Sequence, residues 1–394
     1  MSDDTPVKEP VITLSAGPVG VYPRVLRAMA MPVQYDFDPY FQQFYEDVGK
    51  KVSRALRIDD SPLILQCEPA PGIEASAASL ISKGDVVLNL VSGVYGKGFG
   101  YWSDRYNKEL IEIEVPYNAA IDPQQVEDAF RQRPDISIVS VVHHDTPSGT
   151  INPLREIGEI VRRNDGLLIV DAVSSWGGMD IHPEDCHADI FITGPSKCLG
   201  GAPGLTIIAV SDRAWAHIES NPDAPFASIL SLKDWRYACD RDQAFPFTPS
   251  VAEINGLDAA IVNYLEEGPE NVWARHSLTA KACRAGIRAM GCELWAESES
   301  IASDTTTAVS VPAGVEDEQL RMAVRRIFGV VFSSGRGETN GKLIRIGHMG
   351  QVAQPIYSLV AITALGGALN HLGVKVDTNA GIDAAMSVIT ADAA

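Results

Sequence analysis

The sequence predicts an α/β fold with a mostly parallel sheet of seven strands, flanking helices and a smaller C-terminal α+β domain. Seven short, apolar, β-rich runs alternate with amphipathic stretches between residues 62 and 211. Such alternation is typical of a parallel sheet covered by helices. The runs read LILQC, VVLNLVS, LIEIEV, SIVSVV, GLLIVDAV, ADIFIT and LTIIAVS. Two later runs, TTAVSV and KLIRIG, lie among helical patterns and predict strands of the smaller domain.

The length of the chain and a change of pattern along it predict two domains. A chain of 394 residues is too long for one ordinary core of about 100 to 200 residues. The alternation of strands and helices breaks after Val210, and a helical pattern near residues 272–290 begins a different organisation. We therefore expect an N-terminal segment at residues 1–25, a large α/β domain that carries the binding site at 26–265, and a small α+β domain at 266–394.

Composition and charge predict a small-molecule partner and a cytoplasmic protein. The formal net charge of −19 disfavours nucleic acid and anionic membranes, since both bind basic surfaces. The six cysteines are scattered without a C-x-x-C pair, so we expect no zinc cluster, no disulfide scaffold and no bound metal. The first residues, MSDDTPVKEP, lack the basic start and apolar stretch of a secretory signal. No apolar run approaches the ~20 residues of a membrane span.

Residues that directly follow the predicted strands are the first candidates for a binding site, because ligands of open α/β sheets bind outside the carboxyl ends of the strands. Lys197 follows ADIFIT and enters the glycine-rich turn GPSKCLGGAPG, where backbone can approach a ligand closely. A partly desolvated lysine loses proton affinity and becomes nucleophilic, although a solvated loop lysine also fits this segment. The residues at this rim are Glu68, Tyr95, Thr146, Asp171 and Lys197.

An acid ends the strand that precedes the strand of the lysine. Asp171 follows the apolar run LLIV, and a buried carboxylate there needs a partner because an unpaired buried charge is costly. A pyridine ring offers one, since the acid keeps the ring nitrogen protonated and the ring then absorbs carbanion charge. A salt bridge, or a cap for Ser174 and Ser175, is the alternative. Together Asp171 and Lys197, which are 26 residues apart (197 minus 171), suit the two ends of one pyridine aldehyde.

Longer segments around these two residues resemble the class V aminotransferases of fold type I. The resemblance rests on DAVSSWGGMDIHPEDCHADIFITGPSKCLGGAPG and KLIRIGHMG, and it covers nearly the whole chain. It implies a pyridoxal-type enzyme in which Lys197 forms the Schiff base, an aldimine, and Asp171 faces the pyridine nitrogen. By the same resemblance Tyr95 stacks on the ring and Thr146 lies near the ring hydroxyl. A core aromatic residue and an ordinary turn residue are the alternatives for these two.

The resemblance also implies how a substrate carboxylate and a second subunit take part. Arg345, in LIRIGHMG, is similar to the family's carboxylate-binding arginine, and Arg336, in SSGRGE, is a second candidate for the same anion. A planar guanidinium can bind two oxygens at once, although surface salt bridges would also account for these arginines. Phe247 and Thr248, in PFTPSV, resemble the stretch that reaches the neighbouring subunit's site, which implies a homodimer or a dimer of dimers.

One loop departs from the phosphate-binding pattern of many pyridoxal-phosphate enzymes. Such enzymes hold the phosphate on backbone amides at a helix N-terminus, but here the loop reads CEPAPGIEA. Pro69 and Pro71 have no N–H to donate, and Glu68 places a negative charge where a dianion would lie. A carboxylate can instead accept a hydrogen bond from the hydroxymethyl group of unphosphorylated pyridoxal or pyridoxamine. The alternative for Glu68 is an exposed acid favoured by the helix dipole.

These observations predict an aminotransferase that converts pyridoxamine and pyruvate to pyridoxal and L-alanine. The segments LILQCEPAPGIEASAASLIS, SGVYGKGFGYW, HHDTPSGTINP, PFTPSV and FSSGRGE resemble family members with that reaction, and the resemblance implies a place in vitamin B6 degradation. The vitamer is then a substrate, and no permanently bound cofactor is expected. The leading alternative is an alanine–glyoxylate or serine–glyoxylate aminotransferase that retains pyridoxal phosphate.

Three other functions compete with this prediction. A cysteine desulfurase needs a mobile thiol in the C-terminal domain near the site, but the last cysteine of the sequence is Cys292. A metal hydrolase built on His143, His144 and Asp145 would use common ligand types, but neighbouring strand residues face opposite sides and chelate one ion poorly. A non-catalytic vitamer-binding protein would be favoured by loss of the lysine or of the carboxylate-binding arginine, and both are present.

Overall fold

The computed structural model describes residues 9–238, 240 and 245–392. Its strands are β1 (Ile12–Thr13), β2 (Leu63–Leu65), β3 (Val86–Val91), β4 (Glu109–Glu114), β5 (Ile136–Val142), β6 (His144–Asp145), β7 (Thr150–Ile151), β8 (Leu167–Asp171), β9 (Ile190–Thr193), β10 (Thr206–Val210), β11 (Thr306–Ser310), β12 (Val330–Val331), β13 (Ser333–Ser334) and β14 (Leu343–Gly347). Its α-helices are α1 (Pro23–Met29), α2 (Pro39–Leu56), α3 (Pro69–Leu80), α4 (Val94–Tyr106), α5 (Pro123–Gln132), α6 (Leu154–Arg163), α7 (Asp212–Ser220), α8 (Leu232–Trp235), α9 (Val251–Glu267), α10 (Pro269–Ala289), α11 (Asp317–Phe328), α12 (Pro355–His371) and α13 (Thr378–Asp392). Short 3-10 turns lie at Glu299–Ile301, Gly337–Thr339 and Gly350–Val352.

A seven-stranded sheet with the order β2-β10-β9-β8-β5-β3-β4 forms the centre of the fold. β10 is antiparallel to both of its neighbours, and the remaining pairs are parallel. Each of the seven predicted runs supplies one strand. Such runs are recognisable in a sequence because strands covered by helices on both faces are apolar throughout. β3, β8 and β9 are buried at every residue, whereas the edge strand β4 mixes exposed and partly buried positions. The predicted α/β fold with a mostly parallel sheet is confirmed.

A second, antiparallel sheet lies in the C-terminal part, with the order β11-β14-β13. β11 and β14 are the two predicted strands, whereas β13 escapes the sequence pattern because it consists of two serines. Buried side chains of α10, α11 and α12 form one hydrophobic cluster with this sheet. The N-terminal strand β1 pairs in parallel with β12, so the start of the described chain joins the C-terminal part.

Two consecutive helices mark the passage between the two parts of the chain. α9 packs against α1 and α2, whereas α10 packs against α12 and α13. Gly268, with φ of 87°, separates the two helices. The expected domain boundary near residue 265 falls in the last turn of α9 and stays a prediction. None of the helices within the described ranges is both long enough and apolar enough to cross a membrane.

The carboxyl ends of three neighbouring strands bring the candidate residues together. In the parallel pairing of β5 with β8, Val142 lies opposite Asp171, which in turn lies opposite Ile192 of β9. The chain reaches Lys197 shortly after β9 ends. Beyond β5, the hairpin formed by β6 and β7 carries Thr146 in the turn between its strands. One edge of the sheet therefore presents the acid, the lysine and the hairpin side by side.

Candidate active site

A cavity of about 550 Å³ opens at the carboxyl edge of the sheet. Residues of the N-terminal segment, the large sheet, α3, α4 and the C-terminal sheet line it together. A wider depression of about 900 Å³ lies against α11 and the end of α12, and the predicted site residues are not among those that line it. The predicted residues that line the cavity at the sheet edge are Glu68, Tyr95, Asp171, Lys197, Arg336 and Arg345.

Lys197 is half-buried, and its side-chain nitrogen forms a hydrogen bond with the backbone of the N-terminal segment. Nζ donates a hydrogen bond to the carbonyl oxygen of Ala16 at 2.9 Å. Burial, helped by the nearby charge of Arg345, lowers the pKa of Lys197 to about 8. The neighbouring Gly17 has φ of 111°, and a Cβ atom there would lie 2.1 Å from Nζ. The N-terminal segment can approach the lysine this closely only because the residue is glycine.

Asp171 is a buried carboxylate at the end of β8, with 8% of the residue exposed. Burial raises its pKa to about 6, although a hydrogen bond from the Val173 N–H to Oδ1, at 2.9 Å, and the charge of Lys197 oppose the shift. Among the described residues it forms no salt bridge within 4.0 Å. The carboxylate therefore lacks the compensating cation that a buried acid requires. The alternative of a salt bridge for Asp171 does not hold within the described chain.

Two further ring contacts predicted from the family resemblance occupy different positions relative to the cavity. Tyr95 lies in the first turn of α4 and lines the cavity. Its hydroxyl accepts a long hydrogen bond, 3.5 Å, from Nη1 of Arg336. Thr146 is fully buried, and its hydroxyl lies 2.5 Å from the hydroxyl of Ser174, which itself lines the cavity. The proposed contact of Thr146 with a ring hydroxyl stays a prediction, with Ser174 as its neighbour at the cavity wall.

Two arginines from the C-terminal part face the cavity without carboxylate partners. Arg345 lies in β14, is 6% exposed, and donates from Nε to the carbonyl oxygen of Ser334 at 2.7 Å. Burial lowers the pKa of Arg345 to about 10. Arg336 is exposed. The salt bridges among the described residues include neither of them, whereas Arg321, another arginine at the cavity, pairs with Asp317 at 2.9 Å. The surface salt bridges considered for Arg345 and Arg336 are not found in the described chain.

Glu68 lies at the N-cap of α3, directly before Pro69. Its side chain makes no capping hydrogen bond to the helix, and the residue is exposed while lining the cavity. Its charge is close enough to contribute to the raised pKa of Asp171. Both sequence-based interpretations of Glu68 therefore apply to its location, since it is an acid at a helix N-terminus and also part of the cavity wall.

The three residues of the metal-hydrolase alternative point to different partners. Nδ1 of His143 lies 2.8 Å from the hydroxyl of Ser175, and Nδ1 of His144 lies 3.1 Å from the carbonyl oxygen of Ser174. The carboxylate of Asp145 accepts hydrogen bonds from backbone amides of α4. The trio does not converge on one point, as the alternation of side chains along a strand predicts.

One other group of ligand-type side chains comes together in the described part of the chain. Asp180, His182 and Asp185 each offer an atom within 4.8 Å of the others. Arg155 lies 3.7 Å from the carboxylate of Asp180 and 3.4 Å from that of Asp185. The guanidinium of Arg155 therefore already offsets part of the negative charge of the two acids.

Phe247 and Thr248 lie apart from the cavity lining. Phe247 is 42% exposed, with its ring 6.2 Å from that of Trp235. Thr248 is also exposed, and its carbonyl oxygen accepts a hydrogen bond from Nε2 of Gln66 at 2.8 Å. Their predicted contact with a neighbouring subunit stays a prediction.

Several residues at the cavity were not identified from the sequence. Ala16 and Gly17 come from a segment to which the sequence assigned no role, although the run AGPVG is a signal for unusual backbone. Ser174 lies three residues after Asp171, and its sequence position suggests only a residue that the Asp171 side chain could cap. Trp102 ends the segment SGVYGKGFGYW and lies at helical spacing from Tyr95, a signal that could have identified it. Arg321 carries no local signal, because only the packing of its helix brings it to this wall.

A desolvated lysine and a buried acid at neighbouring strand ends of this sheet are the arrangement expected of a transaminase site of fold type I. A family model described as "Aminotransferase class-V" matches residues 28–350. The chain is 63% identical over 385 residues to the pyridoxamine–pyruvate transaminase of Mesorhizobium japonicum, with 98% of each chain covered. The chain belongs to the class V aminotransferases, and its activity is the transfer of an amino group.

Solved structures agree with this assignment. The crystal structure of pyridoxamine–pyruvate aminotransferase from Mesorhizobium loti matches with a TM-score of 0.97 at 62% identity, covering 98% of both chains. The structure of ureidoglycine–glyoxylate aminotransferase from Bacillus subtilis matches with a TM-score of 0.91 at 28% identity, covering 99% of this chain and 100% of the other. The predicted membership of fold type I is confirmed.

The cavity has the residues that a pyridoxal-type ring requires. Its volume of about 550 Å³ lies within the range of small-molecule sites, about 300 to 1,000 Å³. Asp171 supplies a buried carboxylate that forms no salt bridge with any described residue, which suits a protonated ring nitrogen. Lys197 supplies an amine of lowered pKa, and Tyr95 supplies an aromatic side chain at the wall. The donor set therefore fits the ring that the family uses.

Acylation of Lys197 by a small amine-reactive reagent should reach half its maximal rate near pH 8, because only the neutral amine reacts and its pKa is lowered to about 8. Peptide mass spectrometry across a pH series measures this, with the exposed Lys375 reporting the reagent's own behaviour. In Arg345→Gln the midpoint should move upward, since the cation that helps to lower the pKa is gone. A midpoint at the ordinary lysine value of about 10.4 would contradict the assignment.

Proposed function

We propose that this aminotransferase moves the amino group of pyridoxamine to pyruvate, forming pyridoxal and L-alanine. The observation that carries the proposal is the position of Glu68 at the N-cap of α3, on the wall of the same cavity as Asp171 and Lys197. The 63% identity to a protein named for the same two substrates supports it.

The N-terminus of α3 is poorly suited to hold a phosphate. Helix N-termini bind phosphate through unpaired backbone N–H groups. Pro69 and Pro71 occupy the first turn of α3 and have no N–H to offer. A carboxylate at Glu68 repels a dianion, and the repulsion grows where water is partly excluded. A neutral hydroxymethyl group has no such penalty and can donate a hydrogen bond to the carboxylate. The free vitamer is therefore the better ligand.

Lys197 and Asp171, which both line the cavity, have different parts in the proposed chemistry. When bound, the pyridine ring supplies an electron sink for charge that develops at the reacting carbons. Asp171 accepts a hydrogen bond from the protonated ring nitrogen and so keeps the ring cationic. Once the vitamer amine has replaced the keto oxygen of pyruvate, which leaves as water, Nζ of Lys197 would take a proton from the amino-bearing carbon of the vitamer and return it to the α-carbon of the keto acid. One water would re-enter as pyridoxal and L-alanine separate. The same nitrogen is the amine that attacks the carbonyl carbon of pyridoxal.

The carboxylate of pyruvate finds its partners on the C-terminal part. Arg345 is held by the carbonyl oxygen of Ser334 and has no carboxylate partner among the described residues. A buried guanidinium in that state favours an incoming anion strongly, because two parallel hydrogen bonds can form at once. Arg336 lies at the exposed side of the cavity and provides a second positive charge for the same anion.

Further features belong to this proposal. Pyridoxal and pyridoxamine act as substrates that leave after each turnover, and no cofactor stays permanently bound. Phe247 and Thr248 are exposed and are assigned to a contact with a neighbouring subunit in a homodimer or dimer of dimers. We place the protein in the cytoplasm and its reaction in the degradation of vitamin B6. Nucleic acid and membranes are not among its partners, in keeping with the net charge of −19.

Extensively dialysed protein tests the proposed reaction. Its absorbance spectrum is recorded first, and alanine formation from pyruvate is then measured with pyridoxamine or with pyridoxamine phosphate. We expect a colourless protein that forms alanine only with the free vitamer, because Glu68 and the prolines of α3 disfavour phosphate. A yellow protein that keeps pyridoxal phosphate through dialysis would instead indicate an alanine–glyoxylate or serine–glyoxylate aminotransferase.

Substitution Glu68→Gly should weaken the use of pyridoxamine and improve the tolerance of pyridoxamine phosphate. Loss of a hydrogen bond to a charged group should raise the KM for pyridoxamine about tenfold or more, while the KM for the phosphate ester falls. Steady-state kinetics with both vitamers measure the ratio. Glu74→Gln, which removes an acid from the same helix, is the matched control. Unchanged discrimination in Glu68→Gly would refute the selective role of Glu68.

Substitution Arg345→Lys keeps the positive charge but removes the planar fork. The KM for pyruvate should rise about tenfold, whereas pyridoxamine binding measured without pyruvate should stay as in the unaltered protein. Arg336→Lys should have a smaller effect, since Arg336 is exposed and its interactions are screened by water. If Arg345→Lys leaves the KM for pyruvate unchanged, the keto acid carboxylate binds elsewhere.

A further inference from the structure

One face of α4 forms a wall of the cavity. Four residues of this helix line it, and they recur at intervals of three and four residues, as one side of a helix does. The position of α4 therefore sets the position of all four residues at the cavity wall. The four residues are Tyr95, Gly98, Phe99 and Trp102.

The N-terminus of α4 is capped from a distant part of the chain. Its own N-cap residue is Gly93, which has no side chain that could accept hydrogen bonds from the free backbone N–H groups of the first turn. Oδ2 of Asp145 accepts hydrogen bonds from the backbone N–H of Tyr95 at 2.8 Å and of Gly96 at 3.0 Å. These are the second and third residues of the helix, the positions that an N-cap side chain normally serves. A carboxylate there also interacts favourably with the helix dipole.

The carboxylate of Asp145 is enclosed on all sides by protein. The residue is 0% exposed, and Oδ1 has no hydrogen-bond partner among the described residues. Burial raises the pKa of Asp145 to about 7, although the amides of Gly96 and Tyr95 oppose the shift. A Cβ atom on Gly93 would lie 2.2 Å from Cγ of Asp145, so the carboxylate can reach the helix only because residue 93 is glycine. An apolar side chain would avoid the cost of burying this charge.

The hairpin of β6 and β7 connects two walls of the cavity. Asp145 contacts the first turn of α4, and the next residue, Thr146, contacts Ser174 on the opposite side of the hairpin. We propose that Asp145 is a positioning residue, which fixes the first turn of α4 and thereby holds Tyr95 against the vitamer ring. The inference rests on the proposed function, in which Tyr95 contacts that ring. A cap that served only stability would leave vitamer affinity unaffected once the protein is folded.

Two substitutions of Asp145 and one control separate positioning from stability. Asp145→Ala removes the acceptor, and Asp145→Asn keeps the shape and one acceptor oxygen but loses the charge. Thr150→Val alters the same hairpin opposite Asp145, at a buried hydroxyl without a hydrogen-bond partner among the described residues. Hydrogen exchange of peptides spanning residues 93–100 reports on the first turn of α4 without reference to any ligand. We expect faster exchange in Asp145→Ala, an intermediate rate in Asp145→Asn, and no change in Thr150→Val.

Pyridoxamine affinity of the folded variants completes the test. Equilibrium titration should show about tenfold weaker binding for Asp145→Ala, a smaller loss for Asp145→Asn, and the original affinity for Thr150→Val. Because Asp145 acts through Tyr95, Tyr95→Ala should weaken binding too, and adding Asp145→Ala to it should cost little more. If Asp145→Ala does not fold, Asp145→Asn and Gly93→Ala, which crowds the carboxylate, give the same two readouts.

Two outcomes would overturn the inference in different ways. If Tyr95→Ala weakens pyridoxamine binding while folded Asp145 variants bind like the unaltered protein, Asp145 does not position the ring, and the proposed function stands. If neither Tyr95→Ala nor Asp145→Ala changes pyridoxamine binding while exchange in α4 rises, the cap is real but Tyr95 does not contact the vitamer. In that case the proposed function fails at this residue as well.

Discussion

The burial of two opposite charges at neighbouring strand ends is the constraint on which the site depends. Asp171 and Lys197 both lose water at the carboxyl edge of the sheet, so the pKa of the acid rises to about 6 and that of the lysine falls to about 8. Neither side chain forms a salt bridge among the described residues, and their mutual attraction only partly offsets the desolvation of each. A cationic pyridine nitrogen at one end and a carbonyl carbon at the other would satisfy both groups at once.

The surrounding structure holds these two groups and supplies what they lack. The N-terminal segment places the carbonyl oxygen of Ala16 on Lys197, and β14 of the C-terminal part brings Arg345 to the same cavity. Residues distant in the sequence therefore complete the site, whereas its two central residues, Asp171 and Lys197, come from one short stretch of the chain. Since the cavity is formed by both parts of the chain, a substrate carboxylate bound by Arg345 would lie in the same cavity as Lys197.

Much of the fold could be predicted because the central strands are buried on both faces. A strand such as β8 must be apolar along its whole length, and its sequence LLIV shows this directly. Asp171 stood out for the same reason, as an acid at the end of an apolar run. The order of the sheet and the antiparallel direction of β10 could not be predicted, because pairing partners depend on packing between distant segments. β13 was missed since two serines carry no hydrophobic pattern.

The role of Asp145 shows where local sequence patterns stop being informative. In the sequence, Asp145 stands beside two histidines and is naturally grouped with them as a metal ligand. In the structure it accepts amide hydrogen bonds from a helix that begins about 50 residues earlier, a contact without any local signal. The family resemblance implies that Thr146 lies near the hydroxyl of a bound ring. In the structure, the hydroxyl of Thr146 lies next to the hydroxyl of Ser174. Long-range contacts of this kind determine the geometry of the site.

A crystal structure of the protein soaked with pyridoxamine would show how Asp171, Lys197 and Glu68 contact the vitamer. We expect a ring whose nitrogen lies within hydrogen-bond distance of Asp171, whose aminomethyl carbon faces Lys197, and whose hydroxymethyl oxygen contacts Glu68. A ring bound with its nitrogen away from Asp171, or with its hydroxymethyl group directed away from Glu68 into solvent, would contradict this expectation.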